Sequence, residues 1–116
     1  MRHRLLVAIA SSALAASASQ AHHGWSSYDA GKTIEFTASL SDVSWGNPHG
    51  AAKVKHAGKV WDVVLAPVAR MEARGLTQDM VAKGKAVTLI GYPRSDGTPE
   101  MRIERVIAGG KTVELR

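Results

Sequence analysis

Chemistry in this chain is concentrated in its imidazoles. Five histidines occur in 116 residues, and two of them, His22 and His23, are adjacent. A histidine at a free N-terminus offers two nitrogens to one metal ion, its α-amine and its ring Nδ1. Such nitrogen sites favour Cu(II) over the other divalent first-row ions. A second imidazole opposite them completes a T-shaped set of three nitrogens, a histidine brace. His49 is the best partner, because Asn47-Pro48-His49 is a stiff turn that can aim one side chain. The α-amine titrates near 7.7 to 8.0 in its unperturbed state, so a modest metal contribution deprotonates it. A local alternative uses the His22 amine, the deprotonated amide of His23 and the His23 ring, with no help from the fold. Gly24 at the third position rules out the stronger three-residue chelate. A third reading takes the pair simply as polar end residues, and His49 as a turn residue bonded to its neighbours. His56, beside Lys53, Lys55 and Lys59, reads as a surface residue.

All of this depends on where the mature chain starts. MRHR is a short basic opening, LLVAIASSALAA an apolar and small-residue run, and SASQA a small-residue close. That order is the pattern of a secretory signal peptide. The run is too short and too serine-rich for a spanning helix. Ser19 and Ala21 fit a cut before His22; a rival cut after Ala18 leaves three residues ahead of it. The expected organisation is therefore a cleaved signal peptide over 1–21, an N-terminal segment over 22–32 and one domain over 33–116. Periplasmic localisation and no stable membrane insertion after cleavage follow from it.

Removing Arg2 and Arg4 lowers the net charge from +5 to +3, which is solubility charge and not a nucleic-acid footprint. Cysteine is absent, which excludes disulfides and thiolate metal sites. No carboxylate forms a close sequence pair with a histidine, no glycine elbow surrounds a serine, and no phosphate loop occurs, so no catalytic residue is assigned. Trp25, Tyr28 and Trp45 stand as exposed contacts for a partner or small ligand, and Trp25 and Tyr28 equally as anchors of the terminal segment on the barrel.

The elements that must position these groups are mostly strands. TIEFTASLSDVSW alternates through Ile34, Phe36, Ala38 and Leu40, then slips phase at Val43 and Trp45, which predicts a bend near Ser41 and Asp42. GNPHG is a turn, AAKVKH a short strand, Ala57-Gly58 a tight hairpin and KVWDVVLA the returning strand. PVARMEARGL changes to a helical period and ends at Gly75. KAVTLIGYP and MRIERVI are two more strands, with Met101 and Ile103 in phase and Val106 out of phase. KTVELR can add a short last one. A helix between the third and fourth strands is the connectivity of a mainly β, OB-like five-stranded barrel. A sheet packed on one helix without closure is the alternative.

HHGWSSYD, WGNPHG, GKVWDV, ARGLT, GKAVTLIGYPRSDGT and GGKTVEL together resemble a family of small exported bacterial proteins, known mainly as a domain of unknown function. Its hallmark is a tryptophan followed by Asn-Pro-His. The resemblance covers essentially the whole mature chain. It implies paired histidines at the mature start, here His22 and His23, an aromatic residue soon after at Trp25 or Tyr28, and the motif at Asn47, Pro48 and His49. Members often carry a hydroxyl or aromatic residue close behind the pair, where this chain has Gly24. The resemblance suggests an envelope role and no established reaction. The expectation is a periplasmic metal-binding protein, copper first, with His22, His49 and His23 as ligands. It would act as a carrier, chaperone or sensor-like protein and not as an enzyme, with the metal ion and another envelope protein as partners. The alternative is a metal-free envelope module that contacts a protein or small ligand through its aromatics.

Overall fold

The computed structural model describes residues 24–116. The expected signal peptide over 1–21, and His22 and His23 with it, lie outside the described residues. Seven strands form one sheet: β1 (Ile34–Ser39), β2 (Ser41–Ser44), β3 (Ala51–His56), β4 (Lys59–Val64), β5 (Ala86–Pro93), β6 (Glu100–Ala108) and β7 (Lys111–Glu114). One helix, α1 (Val68–Ala73), lies between β4 and β5. A 3₁₀ turn over Gln78–Val81 follows it.

Local chemistry explains most of these boundaries. The first strand breaks at Leu40, and Asp42 takes a positive φ of 48° two residues later, so the chain bends where its hydrophobic phase slips. The β3–β4 hairpin turns on Ala57 and Gly58, and the β6–β7 hairpin on Gly109 and Gly110. All four have positive φ, the geometry that matches the twist of paired strands. Helix α1 ends in a Schellman motif, with the Leu76 N–H donating to Met71 O at 2.8 Å and the Gly75 N–H to Glu72 O at 3.0 Å. Gly75, at φ 89°, supplies the left-handed residue.

The sheet order is β1-β5-β6-β4-β3-β2, with β7 paired to the later part of β6, residues 105–108, beyond its pairing with β4. All pairings are antiparallel except β4 with β6. The expected closed five-stranded OB-like barrel does not form. The sheet is an open half-barrel that curls through 218° and leaves its edges 7 Å apart. Hydrogen-bonded strands lie about 4.8 Å apart, so those edges do not pair. The broken first strand gives β1 and β2 to opposite edges, and β6 shares one flank between three pairs with β4 and four with β7. The arrangement is nearer the unclosed alternative, although it includes a parallel pair that a simple meander lacks.

The core fills the concave side. Leu40, Val54, Val63, Leu65, Leu89, Met101, Ile103 and Val106 from the strands meet Met71, Leu76 and Val81 from the connection between β4 and β5. The phase slip in β6 has a local cause. Ile90 pairs Arg105 and Gly91 pairs Ile103, so Glu104 is an extra residue, a β-bulge. Met101 and Ile103 before it, and Val106 and Ala108 after it, all reach the core. Tyr28, Val64 and Ile90 are buried but stand outside that cluster.

Candidate metal centre

His49 is the one proposed ligand that the described residues include. It is half-buried, in the irregular crossing between β2 and β3, behind a cis Asn47–Pro48 peptide. Its Nδ1 lies 2.8 Å from the carbonyl oxygen of Gly50. A carbonyl can only accept, so Nδ1 is the donor in this contact, and in the neutral ring the lone pair falls on Nε2. An oriented imidazole of this kind is the usual state of a metal-ligating histidine.

The backbone beneath it is held firmly. The Gly50 N–H donates to Ala66 O at 2.9 Å, and the Leu65 N–H donates to Gly50 O at 2.9 Å. A Cβ at Gly50 would meet Met71 Cε, the flexible end of a side chain, at 2.8 Å and Leu65 Cβ at 3.3 Å, so the position packs closely on the core. At the other end of the crossing, Trp45 Nε1 donates to Glu72 Oε1 on α1 at 3.2 Å. Trp45 is thus a clamp on the helix and not an exposed contact.

His56 does not join this region. Its ring stacks on Phe36 with centroids 4.0 Å apart and planes 17° apart, and Trp61 Nε1 donates to its carbonyl at 3.1 Å. It is half-buried between aromatic rings, where the sequence suggested a plain surface residue. Among the described residues, no three histidine, cysteine or carboxylate side chains converge as a metal-ligand set.

The segment that leads out of the histidine pair lies against the sheet. Residues 25–27 form a 3₁₀ turn, and Tyr28 makes an isolated bridge to Arg94. The Asp29 N–H donates to Pro93 O at 2.8 Å, and the Ser95 N–H to Ser27 O at 3.0 Å. Tyr28 is 4% exposed, and its hydroxyl donates to Glu100 Oε2 at 2.7 Å. Burial, and then that carboxylate, push the phenol above its ordinary range. Tyr28 is therefore an anchor. Trp25 packs edge-on against Tyr92, with ring centroids 6.2 Å apart, and two guanidiniums lie over its ring, Arg102 at 4.3 Å and Arg116 at 4.6 Å.

Strand register connects this anchor to His49. Tyr92 pairs Arg102, Arg102 pairs Val64, and Val64 pairs Ala51, so the four form one row across the sheet. His49 is two residues before Ala51 on the same chain. Arg102, beneath Trp25, is thus two strand spacings from the His49 chain, roughly 10 Å. Two residues of extended chain reach about 7 Å. The register thus places Arg102, beneath Trp25, and Ala51, two residues after His49, on one row of the sheet.

Sequence reasoning did not find Arg102 and Arg116 beside Trp25. Arg102 alternates with Met101 and Ile103, which marks it as facing away from the core. No spacing rule links it to a tryptophan 77 positions earlier. Its guanidinium pKa is lowered by burial first and then by the nearby cations Arg70 and Arg116.

Among the described residues no helix is long and apolar enough to cross a membrane. No curated protein matches the chain. A family model matches it over residues 8–102, which is most of its length, and the chain accordingly belongs to the family of unknown function DUF6152.

Proposed function

We propose that this is an envelope metal-binding protein that takes Cu(II) through the α-amine and ring of His22 and the ring of His49. His23 is the second local donor. The protein carries, delivers or senses the ion and does not turn over a substrate. The observation that carries the reading is the state of His49, whose Nδ1 is committed to the Gly50 carbonyl so that its other ring nitrogen keeps the lone pair. The pinned backbone at Gly50 supports it further. Copper is favoured over zinc because the donors are an amine and imidazoles, without thiolate or carboxylate. Secretion is part of the reading, since a peptide bond between Ala21 and His22 converts the chelating amine into an amide.

The test compares Cu(II) affinity, by competition titration, in three proteins: the chain starting at His22, the chain starting at Ser19, whose third residue is Ala21, and the His22 chain carrying His49→Ala. The first is expected to bind at least tenfold more tightly than either of the others, because each variant loses a direct ligand. Equal affinity of the His22 chain and His49→Ala leaves only the local amine–amide–imidazole chelate, equal affinity in all three leaves neither, and either result overturns the assembled site. A metal-free module that works through Trp25 would then be the better account.

A further inference from the structure

A groove of about 570 Å³ opens where the bent first strand leaves its neighbour. β1 pairs β5 as far as Ser39 with Ala86, and after Leu40 the chain pairs β3 instead. Among the described residues β2 therefore has a strand partner on one side only. The segment just before β5 faces its other side, with Asp79, Ala82 and Lys83 on the groove. On the strand side the lining is the unbroken run 40–43. Side chains of a strand alternate between faces, so an unbroken run means that the groove follows the edge of the chain. Leu40, Val43 and Ala82 make an apolar floor, with Leu40 fully buried and the other two half-buried. Asp42, Asp79 and Lys83 stand exposed around it, and among the described residues no ion pair joins them. Asp79 Oδ1 accepts from the Thr77 hydroxyl at 2.6 Å, which holds that carboxylate on the rim. Lys53 and Lys85 act on Asp42 and Asp79, so the rim offers charge of both signs and an excess of neither.

An unpaired strand edge offers main-chain N–H and C=O groups to an extended segment, and an adjoining pocket selects its side chains. The volume lies within the range of small-ligand sites, roughly 300–1,000 Å³. Asp42 has a positive φ, and the β2–β3 register shifts between Ser41 and Ser44, so the edge is too irregular for a long added strand. A short segment of about three residues, roughly 10 Å long, fits beside it. Carboxylates and an ammonium on the rim complement the two ends of such a segment, which carry the opposite charges. We propose that this groove binds a short apolar peptide with free ends, extended along the outer edge of β2. Its side chain lies on Leu40, Val43 and Ala82, its ammonium faces Asp42 and Asp79, and its carboxylate faces Lys83. The site needs no metal and stands whether or not the copper reading does.

The experiment is calorimetric titration of the full chain with the tripeptide Ala-Leu-Ala, in EDTA so that a peptide bound to copper cannot imitate the site. Ala-Gly-Ala, free leucine and the end-blocked acetyl-Ala-Leu-Ala-amide are the comparisons. Ala-Leu-Ala is expected to bind saturably, with Kd below about 10 mM. Ala-Gly-Ala should bind about tenfold more weakly for want of the apolar side chain. Leucine, which has no main chain to pair, and the blocked peptide, which has no end charges, should each lose about threefold or more. K83Q and the double variant D42N/D79N should each weaken Ala-Leu-Ala by about threefold while leaving the blocked peptide unchanged. K32Q, at the far end of β1, should change neither. Melting curves establish that the variants are folded. The proposal is overturned by absence of saturation, by any of the three comparison ligands binding as tightly as Ala-Leu-Ala, or by K83Q and D42N/D79N proteins that bind it like wild type.

Discussion

Gly91 is the position where a single methyl group should do most harm, and its effect can be worked from the structure. It lies opposite the Glu104 bulge, at the point where the β5–β6 register shifts. A Cβ there would run into the Arg102 carbonyl oxygen and approach both the Arg102 carbonyl carbon and Ile103 Cα to 2.9 Å. All three are backbone atoms of the neighbouring strand, so no rotamer change relieves the contact. Overpacking of a tight site costs about 1–3 kcal/mol, and with only backbone in the way the upper end, about 3 kcal/mol, is expected for Gly91→Ala. For a domain of this size that is a fall in Tm of roughly 10–20 °C. Gly46→Ala makes the same chemical change where nothing lies within 4 Å and φ is not positive. It should leave stability within about 1 kcal/mol of wild type, on the stabilising side. Thermal melts followed by circular dichroism measure both. If Gly91→Ala melts within about 3 °C of Gly46→Ala, the close strand approach at the bulge is wrong.

Tyr28 and Phe36 carry two further predictions. The phenol pKa of folded Tyr28 is raised above the unfolded value near 10, so the folded state holds its proton where the unfolded state has lost it. That contribution is fully present below about pH 10 and is lost as pH rises above it. Tyr28→Phe should flatten the fall of urea stability above about pH 10; an unchanged slope would place the alkaline loss elsewhere. Phe36 on β1 and His56 at the end of β3 stack across strands that do not pair. A double-mutant cycle with Phe36→Ala and His56→Ala should give a coupling of about 0.5–1.5 kcal/mol. Additive losses would mean that the stack does not hold the two strands together.

The sequence was most informative where one residue's conformation or phase was decisive. The bend after Leu40, the hairpins at Ala57-Gly58 and Gly109-Gly110, and the helix stop at Gly75 all follow from local backbone preference. The out-of-phase Val106 was visible as an irregularity, but the bulged residue, Glu104, required the partner strand. The candidate site was legible only in part. Asn47-Pro48-His49 announced an oriented imidazole, whereas the tautomer depends on a carbonyl that only the folded loop brings to Nδ1.

What the sequence determined by itself, then, is the set of elements, their caps and turns, the family, and the residue types that could bind a metal. These depend on φ/ψ preference and on hydrophobic period, which act over a few residues. Tertiary structure alone decided three further matters: that the sheet stays open instead of closing, that Tyr28 and Trp45 are anchors, and that Arg102 and Arg116 share the ring of Trp25. Each requires residues far apart in the chain to meet. Closure in particular turns on a gap of 7 Å against a hydrogen-bonding distance of about 4.8 Å. A difference of roughly 2 Å accumulated over the whole curl of a sheet leaves no mark in the local pattern of any one strand.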